Sequence, residues 1–397
     1  MSIDLISEYV NLDIYPEITK VKDEALLTLG DLHGNALKLL YFLIKHEIVT
    51  CEKRFYERFV IIYRKHPNDL SKEDLLEIKA ICQQLIVKNK TKICLIGDVL
   101  ADRGQNDYFT LLLLYKLHNE SVPIDILLSN HDFTFIECLE VYGIFRSSRP
   151  CGDREFASSM QQMQDLIETY KLDFSEIKTM VENAYLPKLK LLSYSLDNEN
   201  EITRFSHARI DDKVMINLAI VMNVPFLALT VAELAQTIDA INYSFQKNYV
   251  EKKLIHALVK ESFIDDKNDP INFLMWNRSY YFLLKILPFK INEVYGHDSA
   301  GPQGENIYCL DNLLGKSLDE HCGVYNVVVS SFHELSNEQR IRNSINRYLK
   351  EKENDFINAC FKTVPPAMYH FTNLTLFGGT SPPTKYEDLI SIENNTY

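Results

Sequence analysis

Short apolar runs in the first third of the chain alternate with polar turns and with segments of helical periodicity. The first run, Ala25–Leu29, is followed by a helix-period segment at residues 36–48. Two further runs, Lys92–Ile96 and Pro123–Leu128, are each followed by polar residues and then by a helix-period segment. Short apolar runs bounded by turn residues are typical of buried strands. The pattern predicts a β-α-β-α-β unit with a parallel sheet, and therefore an α/β fold class.

Residues 51–89, between the first two predicted strands, are rich in charged residues and helix formers. Pro67 interrupts this segment and a capping box, Ser71-x-x-Asp74, restarts it, so we expect a helical hairpin. The hairpin is either a solvated connection or a protrusion that docks a partner protein. Because its sequence shows no exposed apolar stripe, the connecting role is favoured.

A second helix-rich insertion is expected at residues 210–260, and its most apolar window is 215–234. The window contains Pro225 and ends in another capping box, Thr230-x-x-Glu233. Two buried helices with a break fit this pattern better than a membrane span, which needs an uninterrupted apolar stretch.

The C-terminal half is expected to contain further strands, at residues 188–197, 201–207, 291–295, 306–311 and 325–330. The first two of these are expected to form a hairpin. Residues 1–24 are predicted to be a polar lead-in. Residues 336–397 are predicted to form a C-terminal helix and a loop-rich tail that pack on the domain.

The composition is that of an ordinary globular protein, with 46% hydrophobic and 24% charged residues in a chain of 397. A net charge of -13 without a sustained Lys/Arg run argues against a dedicated nucleic-acid or anionic-membrane surface. The eight cysteines form no C-x-x-C pair, which indicates a reducing compartment. The N-terminus has no secretory signal pattern, so a soluble cytoplasmic protein is expected.

Chemically active side chains cluster where the predicted strands end. Carboxylate, imidazole and amide donors occupy six such positions: Asp31, His33, Asp98, Asn130, His207 and His297. In open α/β sheets, ligands bind at the carboxyl ends of the strands. Oxygen and nitrogen donors without a thiolate suit a divalent ion such as manganese, iron or zinc. The set therefore predicts a metal centre.

Six ligands are more than one tetrahedral site uses, so two metal ions are expected. We expect Asp31, His33 and Asp98 to hold one ion. Asp98 would also bind the second ion, together with the other three residues of the set. Two ions about 3.5–4 Å apart activate water and neutralise phosphoryl oxygens, so the centre suits phosphate ester hydrolysis.

Further residues near these positions supply what metal ions cannot. His131, next to Asn130, is placed to donate a proton to the leaving group, and Asp102 to orient its ring. Arg103 is a candidate clamp on the phosphoryl oxygens, and Arg278 a second one. Structural explanations also exist, since a histidine can fill a core, Asn130 can cap a helix and Arg278 can form a surface ion pair. The joint occurrence at five strand ends favours the functional interpretation.

The chain carries an ordered set of motifs: Gly-Asp-x-His-Gly at 30–34, Gly-Asp-x-x-x-Asp-Arg-Gly at 97–104, Asn-His-Asp at 130–132, a strand-end His at 207 and Gly-His at 296–297. This set resembles the calcineurin-like metallophosphoesterases, and its Asp-Arg-Gly element resembles their phosphoprotein phosphatase branch. The resemblance runs from about residue 25 to residue 330. It implies a β-sandwich flanked by helices, two divalent ions with manganese as first choice, and direct attack by metal-bound hydroxide.

The resemblance also assigns roles. It implies that the six strand-end residues are metal ligands, that Asp102 and His131 form an acid pair, and that Arg103 clamps the phosphate. Because the implied ligands span most of the chain, residues 25–335 are expected to be one catalytic domain with the two helical insertions.

The sequence departs from the eukaryotic protein phosphatases in several places. Asp98 and Asp102 are one residue further apart, and Ala208-Arg209 replaces a Gly-Gly pair. A Leu-Asp-Asn-Leu element begins at Leu310, where diadenosine-tetraphosphatase-like members carry Leu-Asp-x-Gly. The helical hairpin and the Ala-Asp-Arg-Gly form are similar to those of phosphatase effectors of the Legionella Wip type, which implies delivery into a host cell.

Three functions follow from these observations. The favoured one is a metal-dependent phosphatase acting on phosphoserine, phosphothreonine or phosphotyrosine in a protein substrate. No cysteine is followed by arginine six positions later, which excludes a cysteine-dependent tyrosine phosphatase. The second is a hydrolase of dinucleoside polyphosphates or similar small molecules. The third, a non-catalytic docking protein on a phosphatase fold, is weakened because every predicted ligand is present.

Overall fold

The computed structural model describes residues 3–21, 25–146, 157–197, 201–259, 268–278, 285–317 and 319–331. The predicted C-terminal helix and tail at 336–397 lie outside the described residues. The strands are β1 (Asp4–Asn11), β2 (Ala25–Leu29), β3 (Val49–Thr50), β4 (Ile86–Val87), β5 (Lys92–Leu95), β6 (Ile124–Leu127), β7 (Leu189–Lys190), β8 (Ser193–Asp197), β9 (Glu201–Ser206), β10 (Lys290–Tyr295), β11 (Ile307–Cys309) and β12 (Cys322–Ser331).

The α-helices are α1 (Ala36–Lys45), α2 (Lys53–Tyr63), α3 (Lys72–Gln84), α4 (Asp107–Asn119), α5 (Asn130–Glu137), α6 (Ser158–Glu168), α7 (Phe174–Met180), α8 (Asp212–Val221), α9 (Val231–Phe245) and α10 (Pro270–Trp276). Short 3-10 turns occur at Pro67–Asp69, Leu186–Lys188 and Ile255–Leu258. Single π-helical turns occur at Cys138–Tyr142, Val181–Tyr185 and Gln246–Val250.

The larger sheet has the strand order β1-β12-β2-β5-β6-β7. The strands from β2 to β7 in this order run parallel, whereas β12 is antiparallel to both of its neighbours. The predicted β-α-β-α-β unit is confirmed, and β2 spans the whole predicted run Ala25–Leu29. All residues of β2 are buried, as expected of a strand covered on both faces. The parallel order places the carboxyl ends of β2, β5 and β6 at one edge.

The smaller sheet has the strand order β11-β10-β9-β8. β8 and β9 form an antiparallel hairpin as predicted, but the single strand predicted at 188–197 is wrong, because these residues are divided between β7 of the larger sheet and β8. β9, β10 and β11 are parallel. Side chains from both sheets share one buried cluster, consisting of Leu26, Cys94, Ile96, Leu127, Phe205, Val294, Leu310 and Val328. The two sheets therefore face each other across an apolar layer.

β1 is a strand that the sequence did not predict, since residues 1–24 were expected to be a polar lead-in. It pairs with β12 from Asp4 opposite Val329 to Asn11 opposite Cys322. Only Val10 of this strand is buried, because β1 lies at the edge of the sheet and most of its side chains face solvent. An edge strand of this kind has a weak apolar pattern.

The two predicted helical insertions are present. In the first, α2 and α3 form the hairpin; Ser71 accepts a hydrogen bond from the Asp74 N–H (3.1 Å), and Asp74 accepts one from the Ser71 N–H (3.0 Å). In the second, α8 and α9 are separated by a break, and Thr230 caps α9. In the described part of the chain, no helix combines the length and apolarity needed to cross a membrane.

A buried histidine directly after α1 makes folding stability depend on pH. His46 is 1% exposed and its Nε2 lies 3.0 Å from the Tyr325 hydroxyl. Burial lowers the pKa of His46 from 6.5 to about 4. Between these pH values the unfolded chain binds a proton that the folded chain does not. Protonation of this histidine therefore leaves the free energy of unfolding unchanged above pH 6.5 and lowers it as the pH falls towards 4.

We expect His46→Gln to flatten this pH dependence. The variant keeps a neutral polar side chain beside Tyr325 but cannot be protonated. Acidification should therefore lower the free energy of unfolding of the wild type by up to about 3 kcal/mol more than that of the variant. Urea unfolding at several pH values between 4 and 7 measures the difference. Parallel pH profiles for the two proteins would contradict the prediction.

Candidate functional site

The carboxyl ends of three strands of the larger sheet carry five of the predicted site residues. Asp31 and His33 follow β2, and Asp98 follows β5. Asn130 and His131 begin α5 after β6, where Ser129 caps the helix rather than Asn130. All five predicted residues are buried, with at most 5% of their surface exposed.

Two histidines of the smaller sheet face these residues. His207 follows β9, and its Nε2 lies 3.0 Å from Asn130 Oδ1 and 3.6 Å from Asp98 Oδ1. His297 follows β10, and its ring centroid is 5.0 Å from that of His207. Burial lowers the pKa of both histidines, that of His297 to about 4. Both rings are therefore neutral at pH 7, which is the form that binds metal ions.

Three of the predicted ligands have a left-handed backbone conformation. The φ angles are 58° for His33, 50° for Asp98 and 68° for His297. Positive φ costs roughly 1–3 kcal/mol for a residue other than glycine and is concentrated at functional sites. The turns at the strand ends therefore hold these side chains at a cost in stability.

Asp98 is at the centre of the site. Ligand atoms of Asp31, Asp98 and His207 lie within 4.8 Å of one another, and so do those of His33, Asp98 and Asp102. Asp98 belongs to both groups, as expected of a carboxylate shared by two ions. The grouping of the other ligands differs from the predicted assignment to two ions. Asp31 lies in the group of His207, whereas the sequence predicted that Asp31 and His33 bind the same ion.

Asp31 is held by the loop that carries His297. Its Oδ2 accepts a hydrogen bond from the His297 backbone N–H at 2.8 Å. The loop approaches closely because residue 296 is glycine; a Cβ atom there would lie 1.8 Å from Asp31 Oδ1. The Gly-His motif of the sequence thus serves two purposes, since the glycine makes room for one predicted ligand and the histidine is another.

The donor set fits divalent metal ions. The Oδ1 atoms of Asp31 and Asp98 are buried and accept no hydrogen bond from the described residues. Burial and neighbouring carboxylates raise the pKa of both groups well above the usual range. Buried carboxylate oxygens without a partner are costly, and a bound cation would compensate both the lost hydration and the mutual repulsion.

Asp102 connects the predicted metal ligands to the predicted catalytic groups. Its Oδ2 lies 3.0 Å from His33 Nδ1, and its Oδ1 lies 3.5 Å from His131 Nε2. The Arg103 guanidinium donates a hydrogen bond to Asp102 Oδ1 at 2.8 Å. Burial alone would raise the pKa of Asp102, but these three neighbours hold it below its usual value. Asp102 therefore stays ionised. Its hydrogen bond and that of Asp311 outweigh burial and raise the pKa of His33 to about 10, so this ring must release a proton when it binds a metal ion.

A family model of the WipA-like phosphatase domain matches residues 92–316, which is more than half of the chain. The chain belongs to this family. The resemblance to Wip-type effector phosphatases predicted from the sequence is thereby confirmed. The matched range includes all predicted site residues except Asp31 and His33, which precede it.

A solved structure agrees with the WipA-like assignment. The crystal structure of the phosphatase domain from the Legionella effector WipB has 29% sequence identity to this chain and a TM-score of 0.64. The match covers 71% of this chain and 99% of the WipB domain. No curated protein matches the chain.

Arg278 reaches the rim of the site. It follows α10, its side chain is exposed, and its Nε lies 3.3 Å from His297 Nε2. This position allows contact with a substrate at the metal centre. The structure thus brings all ten predicted site residues of this WipA-like phosphatase domain to one region, with Arg278 at its edge.

Two residues of the site were not predicted. Lys38 of α1 is 1% exposed, and its ammonium group donates a hydrogen bond to the Asp31 carbonyl oxygen at 2.6 Å. Burial lowers the pKa of Lys38 to about 8. A lysine within the apolar run of a predicted buried helix was the available signal. The other residue is Asp311, which lies beside His33. The sequence places it at the end of the predicted strand 306–311 and in the Leu-Asp-Asn-Leu element, but assigns it no role in the site.

Proposed function

We propose that the protein is a metal-dependent phosphoprotein phosphatase that hydrolyses phosphomonoesters of serine or threonine, with phosphotyrosine as a further candidate substrate. The observation that carries the proposal is the pair of buried carboxylate oxygens, on Asp31 and Asp98, that have no hydrogen-bond partner among the described residues. Asp98 lies within the matched WipA-like phosphatase domain and Asp31 lies beside it in space, which supports a role in phosphate ester hydrolysis.

Two divalent ions are the proposed cofactors, with manganese as first choice and iron or zinc as alternatives. The chain offers six ligands for them: Asp31, His33, Asp98, Asn130, His207 and His297. When bound, the ions would supply positive charge to the phosphoryl oxygens and acidify a water molecule for attack. The central position of Asp98 supports its role as the shared ligand.

The remaining residues act on the substrate directly. Arg103 would clamp the phosphoryl oxygens, held in place by its hydrogen bond to Asp102. His131 would donate a proton from Nε2 to the leaving oxygen, since its Nδ1 faces the Ala101 carbonyl at 2.8 Å. Arg278, at the rim, would bind substrate from the solvent side.

The domain arrangement follows from the site. We propose one catalytic domain at residues 25–335, since its ligands come from strand ends of both sheets. The calcineurin-like β-sandwich is the architecture that this arrangement supports. The insertion at 51–89 belongs to the same core, because Phe59 of α2 packs on Phe109 of α4 with ring centroids 6.1 Å apart.

The cellular setting is inferred from the match to WipB, which is described as a Legionella effector. By analogy, this protein would be delivered into a host cell and act on phosphorylated proteins in the reducing host cytosol. The described cysteines are all free thiols, as a reducing compartment requires.

The test compares substrates in the presence of manganese. We expect phosphate release from phosphoserine, phosphothreonine or phosphotyrosine peptides, and loss of this activity when the metal is chelated. Diadenosine polyphosphate is the competing substrate, and its exclusive cleavage would favour a nucleotide hydrolase instead. Failure to hydrolyse even a generic aryl phosphate would leave the non-catalytic docking protein as the remaining function.

A further inference from the structure

Asp311 lies at the predicted metal centre, although the Leu-Asp-Asn-Leu element that contains it was not assigned a role there. It follows β11, and the segment that carries it packs against the end of β2. The close approach depends on Gly30, because a Cβ atom at this position would lie 2.2 Å from the Leu310 carbonyl oxygen. The backbone around Asp311 is therefore fixed against the turn that carries Asp31 and His33.

The Asp311 carboxylate faces His33. Its Oδ1 lies 3.3 Å from His33 Nε2, and the residue is 6% exposed. This oxygen accepts no hydrogen bond of normal geometry within the described part of the chain. The Asn312 carbonyl oxygen is closer to the same nitrogen, at 3.0 Å. In the metal-free protein the Nε2–H donates to the closer Asn312 oxygen, and Asp311 Oδ1 lies beside it; a metal ion bound to Nε2 would replace this proton.

The other nitrogen of His33 shows which side of the ring faces the metal. A histidine that binds a metal ion almost always donates its second ring N–H to a carboxylate or carbonyl oxygen. In this site that position is taken by Asp102, whose Oδ2 lies 3.0 Å from His33 Nδ1. Nε2 is then the metal-binding nitrogen, and Asp311 lies on the metal side of the ring.

We propose that Asp311 is a seventh ligand of the metal centre, which binds the same ion as His33. The inference rests on the proposed function. Two donors bound to one ion at about 2.0–2.2 Å are separated by roughly 3 Å, and the 3.3 Å between Asp311 Oδ1 and His33 Nε2 fits this separation. Asp311 is outside the two compact ligand groups around Asp98 and joins the centre through His33.

The charge balance around Asp311 supports a cation at this position. Asp311 adds a fourth buried carboxylate to those of Asp31, Asp98 and Asp102. The ammonium group of Lys38 donates a hydrogen bond to the backbone carbonyl oxygen of Asp31 and not to one of these carboxylates. Lys38 and Lys316 offset part of the negative charge of these four carboxylates, and a bound cation would offset more of it.

Cobalt(II) bound to an Asp311→Cys variant tests direct ligation. A thiolate bound to cobalt gives an intense near-ultraviolet charge-transfer band, which neither the wild type nor Asn312→Cys should show. Asn312→Cys is the matched control, because it places a thiol one residue away, where the Asn312 side chain instead accepts a hydrogen bond from the Leu314 N–H. A folded Asp311→Cys protein that binds cobalt without this band would overturn the proposal.

Asp311→Asn provides a second measurement that does not depend on a thiol. We expect the affinity for one of two manganese ions to fall by at least about 100-fold, the upper end of the loss seen when an outer partner of a ligand is changed. Calorimetric titration of the metal-free protein measures both sites. Binding of two manganese ions with wild-type affinities would refute direct ligation.

The wild-type protein separates this inference from the proposed function. If it binds two ions and releases phosphate from phosphopeptides while both Asp311 variants bind metal like the wild type, only the seventh ligand is wrong. If the wild type binds no ions, both proposals fail. If it binds two ions without hydrolysing phosphopeptides, and Asp311→Cys shows the cobalt band, Asp311 is still a ligand and only the function is wrong.

Discussion

Asp98→Asn is expected to abolish metal-dependent phosphate release and at the same time to make the metal-free protein more stable. The loss of activity follows from the central position of Asp98 in both groups of potential ligands. Removing a shared ligand should cost several kcal/mol of transition-state stabilisation, which corresponds to a rate decrease of about 10³-fold or more.

The gain in stability follows from the charges that surround Asp98. Its Oδ1 is buried and has no hydrogen-bond partner among the described residues, and the nearby Asp102 carboxylate repels it. A neutral amide of the same shape removes this repulsion, which should stabilise the metal-free protein by on the order of 1 kcal/mol. A residue whose replacement stabilises the fold is typical of a functional site, where activity is maintained at a cost in stability.

Phosphate release in the presence of manganese checks the first half of this prediction. Thermal unfolding with and without manganese checks the second half and the loss of metal binding. The wild type should melt at a higher temperature when manganese is added, because a ligand that binds only the folded state stabilises it by about 2.7 kcal/mol at 100 times its Kd. Asp98→Asn should start from a higher melting temperature and gain little from the metal.

Asp125→Asn is the matched control for this experiment. Asp125 is also a buried aspartate on a strand of the larger sheet, but it is paired with Lys92 at 3.2 Å and Lys190 at 2.8 Å. Breaking these pairs should lower the melting temperature and leave the metal-induced increase intact. If Asp98→Asn behaved like Asp125→Asn, Asp98 would be a structural residue and not a metal ligand.

The sequence predicted those parts of the fold that are specified locally. The run Ala25–Leu29 is apolar throughout and becomes β2 without a change of bounds. The end of α1 was placed three residues too late, at residue 48 instead of Lys45, since apolar periodicity continues into the following turn. The predicted ligands came together because residues at parallel strand ends share one edge, a rule that needs no knowledge of side-chain packing.

The parts that were missed depend on contacts between distant segments. β1 becomes a strand by pairing with β12, near the other end of the described chain, and its own apolar pattern is weak. Asp311 reaches His33 because Gly30 admits the backbone of Leu310, which no local pattern indicates. The pairing of Asp31 with His207 depends in the same way on how the two sheets face each other.

His131 is the residue through which the leaving group can be tested. Its Nδ1 lies 2.8 Å from the Ala101 carbonyl oxygen, so Nδ1 is protonated and its N–H donates a hydrogen bond to this oxygen. Nε2 is then the nitrogen available for catalysis, and it lies 3.5 Å from Asp102 Oδ1. Asp102 stays ionised and lies close enough to this nitrogen to orient the ring for proton donation.

We expect His131→Ala to lower the rate on a phosphoserine peptide by roughly 10²–10⁴-fold while both metal ions stay bound. The loss should be much smaller for an aryl phosphate with an acidic phenol, because such a leaving group needs no proton in the transition state. Parallel rate measurements on the two substrates, with metal content determined on the same samples, make the comparison. An equal loss on both substrates would assign His131 to substrate positioning, whereas an unchanged rate on the peptide would remove it from the mechanism.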